Sequence, residues 1–125
     1  MTAAKKTTVN FETRNGRTLS RRTDYHPNGK VAETGLYGQG LNHWAWDIPI
    51  GIIREYYDNG QLKSEVAHNE QGARDGESCY YDRKGKLILK VIYHLDRKVK
   101  EIDYLAIEKA EAMKNIFIIT KDPEE

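Results

Sequence analysis

The stretch Tyr57-Asp58-Asn59-Gly60-Gln61-Leu62-Lys63-Ser64-Glu65 decides the fold, because the chain says it more than once. An earlier copy reads Tyr25-His26-Pro27-Asn28-Gly29-Lys30-Val31-Ala32-Glu33, and a looser later one reads Tyr81-Asp82-Arg83-Lys84-Gly85-Lys86-Leu87. An aromatic residue, a turn centred on Gly and a charged–apolar–charged run together mark a β-hairpin. Recurrence of one such unit along a chain points to a repeat architecture. Stacked hairpins present surface rather than enclose a site, so the pattern also points away from an enzyme.

Working outward, residues 8–14 alternate in polarity and end at Asn15-Gly16, a two-residue turn signal, with Arg17 to Asp24 as the returning strand. A two-residue turn at Asn59-Gly60 pairs Tyr57 with Leu62 and Arg54 with Glu65. It puts Ile53, Glu55 and Tyr57 on one face with Leu62, Ser64 and Val66. The third unit has one more turn residue, and Asp82-Arg83-Lys84-Gly85 suits a type I turn closed by a Gly bulge. Its second strand, Lys86 to His94, is apolar on both faces and calls for cover. Asp103 to Asn115 reads as a helix, with Ile102, Leu105, Ala106, Ala110, Met113 and Phe117 at helical spacing. The expectation is that this helix packs on the last hairpin and caps it, as repeat arrays require. Ile116 to Thr120 is expected to form a last short strand. Residues 1–125 are thus one mostly β domain, an elongated antiparallel sheet of successive β-hairpin repeats with a C-terminal capping α-helix. Residues 8–100 carry the hairpins and 101–125 the helix and tail.

The repeat spacing is uneven. Gly29 and Gly60 are 31 residues apart and Gly60 and Gly85 only 25, so extra residues lie between the first two units. They fall in Gly38 to Gly51, which holds both tryptophans of the protein, in Leu41-Asn42-His43-Trp44-Ala45-Trp46-Asp47-Ile48-Pro49-Ile50. At period two, Trp44 and Trp46 project from one side of an extended segment. Pro49 argues for a protruding loop or an edge. Two readings stand side by side: the indoles pack on the sheet as core, or they form an aromatic anchor for a partner, rimmed by His43 and Asp47 and neighboured by Tyr37.

The pattern Gly51-x4-Tyr56-Tyr57-Asp58-Asn59-Gly60-Gln61-Leu62-Lys63-Ser64-Glu65, followed by Gly72-x2-Asp75-Gly76, resembles the bacterial MORN-repeat variant over roughly residues 16–93. The resemblance implies an elongated sheet of successive hairpins, and a family associated with antitoxin components of toxin–antitoxin systems. It brings no catalytic residues, and it makes Tyr57, Asn59, Gly60 and Glu65 structural. The Trp-bearing insertion and the C-terminal helix lie outside the repeat, so what is particular to this chain is expected there.

Composition narrows the function classes. The lone Cys79 excludes a disulfide framework and sits in a strand-like run, where a half-buried structural side chain is the expectation. His26, His43, His68 and His94 form no metal-ligand spacing with it, and no Gly-rich loop precedes a helix. No catalytic residue, metal or cofactor is therefore assigned; a His43–Asp47 acid/base pair is the nearest approach to one. No apolar run approaches a membrane span, and no signal peptide opens the chain, which reads as cytoplasmic. Charge is graded: residues 1–30 hold 7 basic and 2 acidic side chains, residues 101–125 hold 3 and 7. Arg14, Arg17, Arg21 and Arg22 are the candidates for a basic stripe. The reading is a non-catalytic module that binds another protein, a toxin or an enzyme, through the sheet and the Trp segment. The alternatives are a small-molecule binder or small enzyme with a pocket at the Trp loop, and a weak nucleic-acid or anionic-surface binder at the basic strands.

Overall fold

Eight strands follow one another in a single antiparallel sheet whose spatial order is the chain order. In the computed structural model, which describes residues 7–38 and 47–120 and the side chains up to 114, they are β1 (Thr7–Arg14), β2 (Arg17–Tyr25), β3 (Val31–Gly38), β4 (Ile48–Tyr56), β5 (Leu62–His68), β6 (Arg74–Tyr81), β7 (Leu87–His94) and β8 (Arg97–Asp103). One helix, α1 (Tyr104–Thr120), ends the description. The hairpin architecture expected from the repeats is therefore present, and every strand pairs with its sequence neighbours.

The repeats are built around one turn. At 26–30, 57–61 and 82–86 the first residue's carbonyl accepts from the Gly N–H, and its own N–H donates to the carbonyl four residues on. Gly29, Gly60 and Gly85 have φ of +89°, +90° and +90°, a left-handed conformation that favours Gly. This is the three-residue turn with a Gly bulge that the sequence suggested for the third unit alone. At Asn59-Gly60 it replaces the expected two-residue turn. Arg54 still pairs with Glu65, but the register slips between Glu55 and Tyr56 and Leu62 faces Tyr56, not Tyr57. Only the Gly is left-handed there, whereas a two-residue turn of the hairpin type needs both residues so, as at Asn15 (φ 52°) and Gly16 (φ 73°).

The same turn recurs at 69–73, unread in the sequence. Asn69 Oδ1 accepts from the N–H groups of Gln71 and Ala73. Leu95 and Asp96, at φ 47° and 67°, form the last tight turn. Nothing in their types announces it, and Asp96 Oδ1 anchors it by accepting the Arg74 N–H at 2.8 Å.

Among the described residues the sheet has no second layer; it makes its core by curling. Leu19, Leu36 and Ile50 are buried together on one face, with Ile48 against them. Arg14 at the end of β1 forms an ion pair at 3.5 Å with Glu70 in the β5–β6 turn. Four strand steps in a flat sheet span roughly 19 Å, so the sheet bends toward this face. The bend is made at β3–β4, where two extra residues of β4 are taken up between the Thr34–Arg54 and Leu36–Ile50 pairs beside Gly51, at φ +72°. On the outer face Ile53, Ser64, Ser78 and Val91 are buried among larger neighbours in register, Tyr80 opposite Ser64 and Leu89 opposite Tyr80.

Pro49 lies within β4 rather than in a loop. Opposite Tyr37 it has only β3 beside it, because pairing of β4 with β5 begins at Gly51. Its missing N–H costs no ladder bond on the open side. Ile48 to Ile50 of the expected insertion therefore belong to the sheet, and Ile50 is 1% exposed.

Helix α1 begins at an N-cap: Asp103 Oδ1 accepts the Ala106 N–H at 2.9 Å. It continues through Thr120, so the short strand expected at Ile116–Thr120 is helix instead. Met113 is 67% exposed, and Leu105 and Ile107 are also exposed. The helix touches β7, with Lys86 paired to Glu108, but Leu105, Ile107 and Met113 do not cover the hairpin. The apolar stripe is too weakly segregated to give it a single buried face.

Candidate functional site

Phe11, Ser20, Tyr37 and Pro49 are successive partners across β1, β2, β3 and β4 and share the outer face. Phe11 is 74% exposed. One position along, Val9 pairs with Arg22 and Arg22 with Gly35. The row ends where the segment 39–46 departs, so the two ends of that segment, Gly38 and Asp47, are set beside it.

Arg22 ties the row together. Its guanidinium carbon lies 4.7 Å from the centre of the Tyr37 ring, its Nε donates to Ser20 Oγ at 3.3 Å, and its Nη2 pairs with Asp47. Asp47 itself sits at φ 58°, a conformation that Asp tolerates better than most residues. Tyr37 and Asp47, both expected among the partner-binding residues, thus lie at one guanidinium, that of Arg22, which was a candidate for the basic stripe. The missed signal is that Arg22 lies on the face of Tyr37, from which its side chain reaches Asp47, just before β4 and 25 residues on. His43, Trp44 and Trp46 lie outside the described residues.

The Tyr37 hydroxyl is pushed up to about 12, first by burial and then by the carboxylate of Glu33, to which it donates; Arg22 pulls the other way. Asp24, Glu33 and Glu55 are successive partners on the same face, an acidic row beside the aromatic one. The four arginines do not make one stripe. Arg14, Arg17 and Arg21 point to the inner face and Arg22 to the outer, since they alternate along β2 or pair with it. Arg14 and Arg21 are both within ion-pair distance of Glu12.

The inner face holds a shallow depression of about 350 Å³ lined by Ile52, Glu65, Ala67, Glu77 and Cys79. Glu65 is held by Arg54 at 2.7 Å and Glu77 by Lys90 at 3.7 Å. Cys79 is half-buried. The depression lies on the face opposite Tyr37 and Asp47. No set of His, Cys, Asp and Glu among the described residues is arranged to hold a metal ion, and no helix among them is long and apolar enough to cross a membrane.

Neither curated proteins nor solved structures gave a match to the chain. Against protein-family models, residues 21–38, 49–69 and 74–94 match the MORN repeat variant, one match to each of the hairpins β2–β3, β4–β5 and β6–β7.

Proposed function

We propose that the chain is a non-catalytic interaction module that binds a partner protein and regulates it by occlusion. The observation that carries the reading is the row Phe11–Ser20–Tyr37–Pro49, which leads across four strands to the root of the Trp44/Trp46 segment. Exposed aromatic side chains anchor interfaces because they bury large areas at little rotamer cost. Arg22, already fixed by Ser20, Tyr37 and Asp47, offers a guanidinium that loses little further freedom on binding. The acidic row Asp24–Glu33–Glu55 supplies a charged rim that favours a basic partner surface. On this reading His43, Trp44, Trp46, Asp47 and Tyr37 contact the partner, and a toxin or an enzyme is the class of partner to try first.

The test uses a photo-crosslinking amino acid at position 37 in the source cell, followed by calorimetry with the purified partner. The expected result is a specific protein adduct, and binding weakened about tenfold or more by Tyr37→Ala or by Trp44→Ala with Trp46→Ala, as truncated anchors show. No adduct, or unchanged affinity in folded variants, overturns the proposal.

A further inference from the structure

We propose that β1 is a dimerisation edge, which joins two copies of this chain into one continuous sheet about a two-fold axis passing at Asn10. All eight residues of β1 are exposed, and among the described residues one of its edges has no neighbour in the sheet. The two-residue turn at Asn15-Gly16 decides which backbone groups face that edge. In such a hairpin the closing pair Arg14–Arg17 exchanges both hydrogen bonds, so Glu12, Asn10 and Thr8 are also committed to β2. Thr7, Val9, Phe11 and Thr13 then direct their N–H and C=O groups outward.

Protected edges carry bulges, Lys or Pro. β1 carries none of these. Its pairing with β2 runs through all eight residues without a register shift, while each of the other six pairings has one. The opposite edge, β8, is guarded by Arg97, Lys98 and Lys100 and runs directly into α1.

A second copy is the occupant that the residues of β1 themselves specify. Antiparallel self-pairing about Asn10 sets Val9 opposite Phe11 twice, Thr8 opposite Glu12, Thr7 opposite Thr13 and Asn10 opposite itself. The outward backbone groups of Val9 and Phe11 meet in this register. An aromatic faces a β-branched residue at both symmetric positions, and within residues 7–13 no like charges are opposed. Glu12 and Arg14 are already engaged on their own chain. The contact is isologous and closes at two copies, where a β1–β8 contact would extend without end. The inference does not rest on the partner-binding role proposed above, although both use Phe11.

Light scattering after size exclusion of the full chain is expected to give twice 14.4 kDa. Val9→Pro removes one outward donor without touching a bond to β2, and is expected to give a monomer with an unchanged circular dichroism spectrum. In a Cys79→Ser background, Asn10→Cys is expected to oxidise to a disulfide-linked dimer and Thr8→Cys, which faces Glu12, is not. A wild-type mass of 14.4 kDa at every concentration overturns the proposal. So does a dimer that survives in folded Val9→Pro, which would place the contact on another surface. Should Val9→Pro fail to fold, the cysteine pair decides: no cross-link at position 10 overturns the proposal.

Discussion

Asn59 reaches from its own turn to the next one: its Nδ2 donates to the carbonyl of Arg83 at 3.0 Å while its Oδ1 accepts the N–H of Gln61. Asn28 makes the same two bonds, to the Asp58 carbonyl at 2.8 Å and from the Lys30 N–H at 2.9 Å. The same position in the third turn is Lys84, and there Asp82 closes the turn by accepting from Lys84 and Lys86. Asn thus appears where a further turn lies beyond it along that edge of the sheet. A neutral amide is needed, because one atom must accept within the turn and the other donate outside it.

Asn59→Asp keeps the acceptor and loses the donor, and Asn59→Ala loses both. Each net hydrogen bond contributes about 0.5–1.5 kcal/mol, so Ala is expected to cost about 1–2 kcal/mol in urea unfolding. Asp is expected to lose stability as well, since its carboxylate would face a carbonyl. If Asp is as stable as wild type, the bond between turns contributes nothing.

Gly72→Ala tests the curl of the sheet. A Cβ at Gly72 would lie 2.9 Å from Ile48 Cβ, and φ is +84°. At Gly29 the φ is similar, at +89°, but nothing lies within 4 Å. Gly29→Ala is expected to cost about 1 kcal/mol for the backbone alone, and Gly72→Ala about 1–3 kcal/mol more for the clash with the core cluster. Thermal melts of the two variants measure the difference. Equal losses would show that the β5–β6 turn does not press on Ile48.

Ser78 is wholly buried, and its hydroxyl has no hydrogen-bond partner among the described residues. Ser78→Ala removes that orphan group without altering the shape of the site. It is expected to leave stability unchanged or raise it by about 1 kcal/mol, measured by urea unfolding. A clear loss would mean that the hydroxyl is satisfied by water.

The alkaline limb of stability belongs in part to Tyr37, raised from 10.0 to about 12. Between these values the folded protein keeps a proton that the unfolded chain releases, so stability falls as pH rises. The contribution is fully present below pH 10.0 and is lost as pH passes about 12. Tyr37→Phe is expected to flatten the pH dependence of the urea midpoint in this window, leaving a remainder from Tyr80 and Tyr81, which burial also raises. Followed by tyrosinate absorbance, Glu33→Gln is expected to lower the Tyr37 titration and Arg22→Ala to raise it.

At the acid end the turn carboxylates act in the opposite sense. Asp82 is held below its usual 3.8 chiefly by the Lys86 N–H, and Asp96 by the Arg74 N–H. What they contribute is present above pH 3.8 and lost as pH falls through their lowered values, so Asp82→Asn is expected to shallow the acid unfolding limb.

Much of the fold was legible because it is local. The Gly-centred turns, the alternation in the strands and the Arg54–Glu65 register follow from residues a few positions apart. The length of the turn at Asn59-Gly60 was misjudged locally, whereas other features rest on contacts that are not local. Leu95-Asp96 turns because Asp96 bonds to Arg74, 22 residues back. Pro49 enters β4 where that strand is an edge, one of the two places its missing N–H suggests, and which of the two it took was decided by where β5 stops. The helix was legible in its first part, but Leu105 and Met113, expected to pack on the last hairpin, are exposed.

The sequence by itself therefore determined the hairpins and their order, since a turn and its two flanking strands are set by backbone conformations that particular residues favour. Only the tertiary structure decided the curvature, and with it what is inside. A single sheet has two equivalent faces until it bends, and the bend at Gly51 is what buries Leu19, Leu36 and Ile50 on one face. The same fold brings Arg22 to Asp47, 25 residues away, and leaves Phe11 and Tyr37 in one row on the other face. Such meetings depend on which strands lie side by side, and alternation along a strand records only that two faces exist, not what each will meet.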